Sequence, residues 1–244
     1  MTEERPDETD RLESVSEAIE SLQSLFADGR PLDELLDSVA ASGAEAIPDA
    51  DAVSITVLAE PTPRTAACTD KRVLRLDRAQ YEAGRGPCLE AADVRRPVRA
   101  VMSLDEQRWP EFVAAASACG ITATLSVPLL ADRVGHEPEL VGSLNIYSTT
   151  ATAFDPFDEA LMRLYTLTAG LLITNARHWQ RSLETIDQLR EALTSRSVID
   201  QAKGALRAVH GCSEEEAFQR LVKESQNTNT KVHTVARDFL ASLT

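Results

Sequence analysis

The last 63 residues hold the side chains best suited to binding a charged partner. They carry eight Lys or Arg residues and nine Asp or Glu residues, whereas the whole chain of 244 residues has a net charge of −14. Arg196, Lys203 and Arg207 are seven and four positions apart, which places them within one arc of a helix. Cationic side chains gathered on one face are suited to contacting phosphates. The overall acidity therefore does not exclude a nucleic-acid partner for this segment.

Cys88 is the sharpest candidate for reactivity in the rest of the chain. It follows Gly86 and Pro87 and opens a predicted helix from Leu89 to Val94, whose N-terminus would favour a thiolate. A reactive thiol there could sense oxidants or a ligand, or take part in catalysis. The alternative interpretation is a small buried residue that fills the space between a sheet and a helix. An ordinary pKa of about 8.5 and inertness to peroxide would exclude the reactive thiol.

Other chemistry is not indicated. The sequence contains none of the common phosphate-binding, dinucleotide-binding, zinc-protease or serine-hydrolase motifs. The histidines show no ligand spacing, and the cysteines are too far apart in sequence for a CxxC pair. We therefore expect no metal site and no enzyme activity, and the sequence identifies no cofactor. The four cysteines are Cys68, Cys88, Cys119 and Cys212.

Composition places the chain among ordinary globular proteins. It has 43% hydrophobic and 26% charged residues, enough to build cores without being a disordered or fibrous chain. No uncharged apolar run reaches the roughly 18 to 20 residues that span a bilayer, and the first twenty residues are acidic. We therefore expect a cytoplasmic protein with no membrane segment.

The hydrophobic pattern predicts an α+β domain followed by helices. Residues 1–10 are polar and show no hydrophobic periodicity, so we predict that they are disordered. Apolar residues at helical spacing predict one helix at 12–26, ending near Gly29, and a second helix at 32–43. Short β-branched runs predict a mostly antiparallel sheet flanked by helices, including a short helix at 109–119. The predicted strands are 52–58, 73–76, 97–101, 121–130 and 140–147, with a turn at 132–138.

A long helix follows from Phe157 to Gly211. Its apolar residues recur at spacings near three and four beyond the point where one domain core would end. The same stripe on a second copy would cover it, which predicts a homodimer through a parallel coiled coil. The alternative is that the stripe packs only within its own chain.

Two shorter helices complete an all-α three-helix C-terminal domain. Ser213 and Glu216 have the spacing of a capping box, and residues 227–229 are predicted to form a turn. Phe218 and Phe239 have core spacing, so we expect no aromatic stacking platform. RNA recognition would then depend on hairpin shape and polar contacts to bases.

Residues 196–236 resemble the ANTAR domain, an RNA-binding antiterminator module of bacterial regulators. The resemblance rests on RSVIDQAKGAL, HGCSEEEAFQRL and SQNTNTKVHTVA, which follow one another from Arg196. It implies that this unit binds mRNA hairpins, and tandem hairpins when the protein is dimeric. Together with the local charge, it gives these candidate RNA-binding residues: Arg196, Lys203, Arg207, Lys223, Asn229, Lys231, His233 and Arg237.

Several of these positions have plainer interpretations. Gly204, a further match to the family pattern, would allow close helix packing, and Asn229 would be a helix N-cap. The lysines and arginines could be ordinary solvated cations. His233 stands where the family commonly carries arginine, which would weaken that contact or make it pH-sensitive. The acidic run 214–216 favours a helix N-terminus and should face away from RNA.

The preceding part resembles a GAF domain of the kind found in front of ANTAR domains. Its marks are QYEAGRGPC at 80–88, RWPEF at 108–112, SVPL at 126–129 and GSLNIY at 142–147. GAF domains share a scaffold but bind different ligands, so the resemblance names no ligand. Some GAF domains resemble free methionine-sulfoxide reductases that use cysteines.

The sequence therefore predicts a signal-responsive RNA-binding antitermination regulator, whose GAF-like domain senses an unknown small molecule or redox signal. The predicted domains are a GAF-like sensor at 11–178, a coiled-coil linker helix at 179–195 and an ANTAR domain at 189–244. One alternative is a thiol-based redox sensor or reductase centred on Cys88. The other is a protein-interaction module whose cations only contact solvent. Steeply salt-dependent RNA binding would exclude the second alternative.

Overall fold

The computed structural model describes residues 6–27, 30–58, 62–131, 135 and 137–243. Its contacts divide the chain into two compact units, Met1–Trp179 and Gln180–Thr244. The predictions for residues 1–5, for Gly29 and for most of the 132–138 turn lie outside the described residues. No described helix is both long enough and apolar enough to cross a membrane.

The first unit contains a five-stranded antiparallel sheet. Its strands are β1 (Ala52–Val57), β2 (Arg64–Cys68), β3 (Val98–Val101), β4 (Ala123–Ala131) and β5 (Glu139–Ser148). The strand order is β2-β1-β5-β4-β3, with β5 in the centre between β1 and β4. This confirms the predicted antiparallel α+β class.

Helices precede, interrupt and follow the sheet. They are α1 (Glu8–Ser24), α2 (Leu32–Glu45), α3 (Leu74–Ala83), α4 (Pro87–Val94), α5 (Pro110–Ala118), α6 (Pro156–His210), α7 (Glu214–Thr228) and α8 (Val232–Ala241). Short 3-10 turns span Leu25–Ala27 and Lys71–Val73. The long helix and the C-terminal helices confirm the rest of the predicted fold class.

One face of the sheet is apolar and is covered by α1, α2 and the first part of α6. Alternate strand residues such as Ile55, Leu125 and Leu144 point into this core, as the two-residue period of a strand requires. Gly170 allows α6 to approach β4 closely, because a Cβ there would lie 2.0 Å from the carbonyl oxygen of Leu130. This close approach fixes the start of α6 on the sheet.

The opposite face of the sheet is covered by α3, α4 and α5. Leu76, Trp109 and Phe112 form a second apolar cluster there with Tyr147 of β5. Side chains from the middle of β1 and β5 that point to this side are polar, and they are described with the candidate site below. The sheet is therefore buried on both faces, but the two layers differ in chemistry.

Two predictions about local structure are wrong. Residues 73–76 are not a strand: Val73 ends a 3-10 turn capped by Asp70, and α3 begins at Leu74. A four-residue apolar run cannot separate strand from helix, and Leu76 is buried as part of a helical face. Residues 8–10, predicted to be disordered, form the first turn of α1, because the Asp7 carboxylate accepts hydrogen bonds from the Thr9 and Asp10 N–H groups.

A buried ion-pair cluster attaches α1 to the start of α6. The Arg11 guanidinium lies 2.8 Å from an Asp158 carboxylate oxygen and 3.0 Å from one of Asp155. It also stacks 4.9 Å from the centre of the Phe157 ring. Because Arg11 is only 6% exposed, these contacts replace water around the charge.

We expect Arg11→Ala to lower the free energy of unfolding of the first unit by about 3 kcal/mol, because it removes the guanidinium that pairs with the buried Asp158 carboxylate. Urea unfolding followed by the fluorescence of buried Trp109 measures the change. Arg85→Ala is the control, because it removes an exposed pair with Glu111 and should leave the midpoint nearly unchanged. Equal midpoints for the two variants would contradict the structural role of Arg11.

Candidate RNA-binding interface and sensor core

The C-terminal unit is a small helical core built from the end of α6 together with α7 and α8. Gly211, with a φ of 64°, follows the end of α6, and Ser213 begins the next helix with the predicted capping box. The Glu216 N–H donates to the Ser213 hydroxyl at 3.2 Å, and the Ser213 N–H donates to the Glu216 carboxylate at 2.8 Å. The buried side chains are Ala202, Leu206, Ala217, Leu221 and Ala236.

Two of the candidate cations on α6 are paired with carboxylates of the same unit. The Lys203 ammonium donates to Asp200 at 3.1 Å and to Glu214, at the start of α7, at 2.5 Å. The Arg196 Nε lies 3.9 Å from the other oxygen of Asp200. Glu214 therefore faces a candidate RNA-binding residue, contrary to the prediction that the acidic run faces away from that surface.

The remaining candidate lysines and arginines are exposed. Among the described residues they form no ion pair at 4.0 Å or less. His233, on the first turn of α8, is half-buried. The exposed cations are Arg207, Lys223, Lys231 and Arg237.

Asn229 is not an N-cap. It follows the last residue of α7 in the left-handed conformation, with φ 51° and ψ 39°, and its N–H donates to the Ser225 carbonyl. Asn is one of the few residues that adopt this conformation readily. The predicted turn at 227–229 is correspondingly shorter, because Asn227 and Thr228 are helical. Lys231 occupies the N-cap position of α8, without a capping bond from its side chain.

Gly204 does not serve helix packing in this chain. It is exposed in the interior of α6, and a Cβ at this position would meet no atom within 4 Å. Glycine in a helix interior costs roughly 1 kcal/mol relative to alanine. The predicted packing role is therefore wrong, and the exposed backbone beside Lys203 is open to a partner.

The two phenylalanines of this unit differ. Phe239 packs against the buried core, as predicted. Phe218 lies outside that core: it is half-buried and lines an open groove with Ile199, Lys203 and Glu214. Core spacing alone did not distinguish the edge of the α7 buried face from its centre.

Cys88 lies at the start of α4, but it is fully buried. Its N–H donates to the Gln80 side-chain oxygen at 2.8 Å, and Gln80 packs so closely on Gly86 that a Cβ there would lie 2.3 Å away. Burial and then the nearby Asp77 raise the pKa of the Cys88 thiol. This direction is opposite to the one that a helix N-terminus alone would give, and it favours the buried-residue interpretation.

A layer of buried polar side chains separates the sheet from α3 and α4. Asn145, in the central strand, donates to Thr56 at 2.9 Å and to Ser54 at 3.2 Å, and accepts from Ser143 at 2.8 Å. The Tyr81 hydroxyl lies 2.8 Å from the Thr56 hydroxyl. These hydrogen bonds satisfy groups that would otherwise be costly to bury.

Asp77 is the ionisable centre of this polar layer. The Tyr147 hydroxyl donates to one carboxyl oxygen at 2.5 Å, and the Thr65 hydroxyl donates to the other at 2.8 Å. Burial raises the pKa of Asp77, while the hydroxyl donors oppose the shift. The site therefore favours the protonated carboxylic acid.

Sequence reasoning missed both the polar layer and the partners of Lys203. The layer has a visible signal, because Ser54 and Thr56 alternate with Val53 and Ile55 along one strand. The sequence carries no such signal for the contact between Lys203 and Glu214, because the two residues are eleven positions apart and are separated by a turn. Among the described residues, no cluster of His, Cys, Asp or Glu could hold a metal ion.

The geometry defines a two-part protein, with a sheet-based unit followed by a helical module. Residues 29–174 match the GAF domain model, and residues 187–240 match the ANTAR domain model. The chain therefore belongs to the GAF domain family and has the GAF-ANTAR architecture of a signal-sensing regulator. Among curated proteins, no sequence match is found.

Solved structures support the fold of the first unit. A GAF sensor protein from Burkholderia vietnamiensis has a TM-score of 0.53 and 18% identity, covering 68% of this chain and 98% of that chain. The reduced form of fRMsr from Staphylococcus aureus has a TM-score of 0.51 and 15% identity, covering 65% and 94%. At these identities the likeness establishes the fold alone, and no activity follows from it.

We expect Asp77→Asn to change how stability depends on pH. A raised pKa means that the folded state holds the proton more tightly than the unfolded state, so this contribution is complete below about pH 4 and is lost as pH rises. The difference in free energy of unfolding, wild type minus Asp77→Asn, should therefore fall between pH 4 and pH 8. Urea unfolding across this range measures it.

Asp70→Asn is a control for which we expect the opposite pH dependence of stability. The side-chain hydrogen bond from Arg72 lowers the pKa of Asp70, so its contribution is present above about pH 4 and is lost in acid. Parallel pH profiles for wild type and Asp77→Asn would contradict the raised pKa of Asp77.

Proposed function

We propose that this protein is a signal-responsive regulator that binds RNA and promotes transcription antitermination in the cytoplasm. The GAF unit receives a signal, and the ANTAR unit binds hairpins in nascent mRNA so that a terminator does not form. The match of residues 187–240 to the ANTAR domain carries this proposal. The proposed role requires no catalysis by this chain.

The charge distribution of the C-terminal unit supports RNA as the partner. Arg207, Lys223, Lys231 and Arg237 are exposed and form no ion pair among the described residues, so each is available to a phosphate. Asn229 and His233 lie near or on the first turn of α8 and supply polar groups for base edges. Arg196 and Lys203 are proposed contacts whose charge is shared with carboxylates.

The polar layer of the GAF unit supports a signal that acts on buried hydrogen bonds. Asp77, Asn145 and Tyr147 form a network whose rearrangement would shift α3 relative to the sheet. The buried state of Cys88 and its raised pKa make a small-molecule signal a better fit than thiol oxidation. For the same reason, the geometry does not favour the reductase alternative.

We expect the full-length protein to bind an RNA of two tandem stem-loops with randomised loops, and to lose affinity steeply as salt increases. Lys223→Ala and Arg237→Ala should each weaken binding and reduce the slope of log affinity against log salt by about one. Fluorescence anisotropy between 50 and 300 mM salt, concentrations chosen around the physiological range, measures both quantities.

Arg72→Ala removes an equal charge from the GAF unit and should leave RNA affinity unchanged. Absence of salt-dependent binding by the wild type would contradict the RNA-binding function and favour a protein-interaction module. Unchanged slopes in both cation variants would instead contradict the proposed residues while leaving RNA binding intact.

The long helix supports a homodimer. In the first unit, α6 exposes Leu164, Leu167, Leu171 and Trp179, each at least half exposed. In the second unit its apolar residues at 183, 186, 189 and 193 are 43–69% exposed. Their spacing of three and four residues is that of a coiled-coil seam, and a second copy of the chain would bury it.

We expect Leu189→Asp to convert the dimer to a monomer, because it places a charge in the apolar seam. Sedimentation equilibrium of the full chain measures the mass, with circular dichroism as the test of folding. Gln188→Asp adds the same charge on the opposite side of α6 and should remain dimeric. A monomeric wild type, or two variants with equal mass, would contradict the proposed interface.

A further inference from the structure

Lys203 is held in a cluster of charges where the end of α6 meets the start of α7. Its ammonium contacts Asp200 on its own helix and Glu214 on the next one. The Lys203 side chain is only 16% exposed, whereas the Glu214 side chain is 64% exposed and that of Asp200 is 55% exposed. The cation is thus covered by carboxylates that themselves face solvent.

The cluster compensates charge internally. Arg196 and Lys203 contribute two positive charges, while Asp200 and Glu214 contribute two negative ones. The hydrogen bond with Lys203 lowers the pKa of Glu214, and the bonds to Glu214 and then Asp200 raise the pKa of Lys203. Both residues therefore stay charged together, and Lys203 presents little unbalanced charge to an incoming anion.

A phosphate and a carboxylate compete for the same donor atoms of an ammonium group. Both are anions whose oxygens accept charge-assisted hydrogen bonds at similar distances. For a phosphate to contact Lys203 closely, one of the two carboxylates has to move. We expect Glu214 to be the carboxylate that moves, because it is the more exposed of the two and its contact with Lys203 joins two helices.

We propose that Glu214 is an internal competitor of RNA, which occupies Lys203 in the free protein and is displaced by an RNA phosphate. The inference rests on the proposed RNA-binding function and adds a residue that sets its affinity. In this proposal Glu214 is a positioning residue that holds the Lys203 side chain and lowers the affinity of the unit for RNA. The groove beside the cluster, lined by Ile199 and Phe218, gives the displacing nucleotide an open approach.

The chain provides a matched control in the neighbouring residue. Glu215 is exposed, lies in the same first turn of α7 and bonds to Gln219 rather than to Lys203. Glu214→Gln and Glu215→Gln therefore remove the same charge from the same helix end. Only the first removes a carboxylate charge from Lys203.

The test measures the affinity of the full-length variants for the labelled tandem stem-loop RNA with randomised loops. Glu214→Gln should lower the dissociation constant about three- to five-fold at low salt, and Glu215→Gln should change it much less. In the Lys203→Ala background, Glu214→Gln should give no gain, because the released cation is absent. Asp200→Asn removes the other carboxylate from Lys203 and should also tighten binding. It replaces Glu214→Gln in the test if that variant folds poorly.

The outcomes separate this inference from the proposed function. Tighter binding by Glu214→Gln than by Glu215→Gln, with the gain lost in the Lys203→Ala background, supports the competition. Salt-dependent binding by the wild type with equal affinities for Glu214→Gln and Glu215→Gln overturns the competition but keeps RNA binding. A gain that persists without Lys203 also overturns it. No binding by either the wild type or Glu214→Gln overturns both proposals.

Discussion

The sensor unit depends on the burial of its central sheet on both faces. A buried strand with alternating side chains must satisfy two environments at once. Here one environment is apolar, and the other combines an apolar cluster with a layer of polar side chains. On the apolar side, packing decides where α1, α2 and α6 lie. On the polar side, hydroxyl, amide and carboxyl groups need partners, so hydrogen bonds determine where α3 lies. Asp77, Gln80 and Tyr81 meet this need from one face of α3, at spacings of three and four residues.

The C-terminal unit is under a different constraint, because it must carry several cations without strong electrostatic repulsion between them. Its candidate cations form two groups. Arg196 and Lys203 form ion pairs with carboxylates, whereas Arg207, Lys223, Lys231 and Arg237 form none at 4.0 Å or less among the described residues. In such an arrangement the unpaired cations dominate the long-range attraction of an anionic partner. The paired cations would respond only at contact, when a partner replaces their own carboxylates.

Much of the fold could be predicted from the sequence, because the long elements have strong patterns. The strands around Ile55, Leu125 and Ile146 are β-branched and bounded by turn residues, and the helix from Phe157 lacks proline. The strand Arg64–Cys68 escaped prediction, because RTAAC shows no clear alternation. The contacts of the candidate site were not predictable, since they join residues such as Lys203 and Glu214 whose approach depends on the Gly211 turn.

The position of α1 determines where the sensor unit can be truncated without exposing its core. The GAF match begins at residue 29, but the folded unit starts earlier, with α1 at Glu8. A fragment that began at the family boundary would lack Arg11 and the buried side chains of Val15 and Leu22. It would uncover apolar surface on α2 and deprive Asp158 of its guanidinium partner. Truncations designed from family boundaries alone would therefore aggregate more readily than fragments that keep the N-terminal helix.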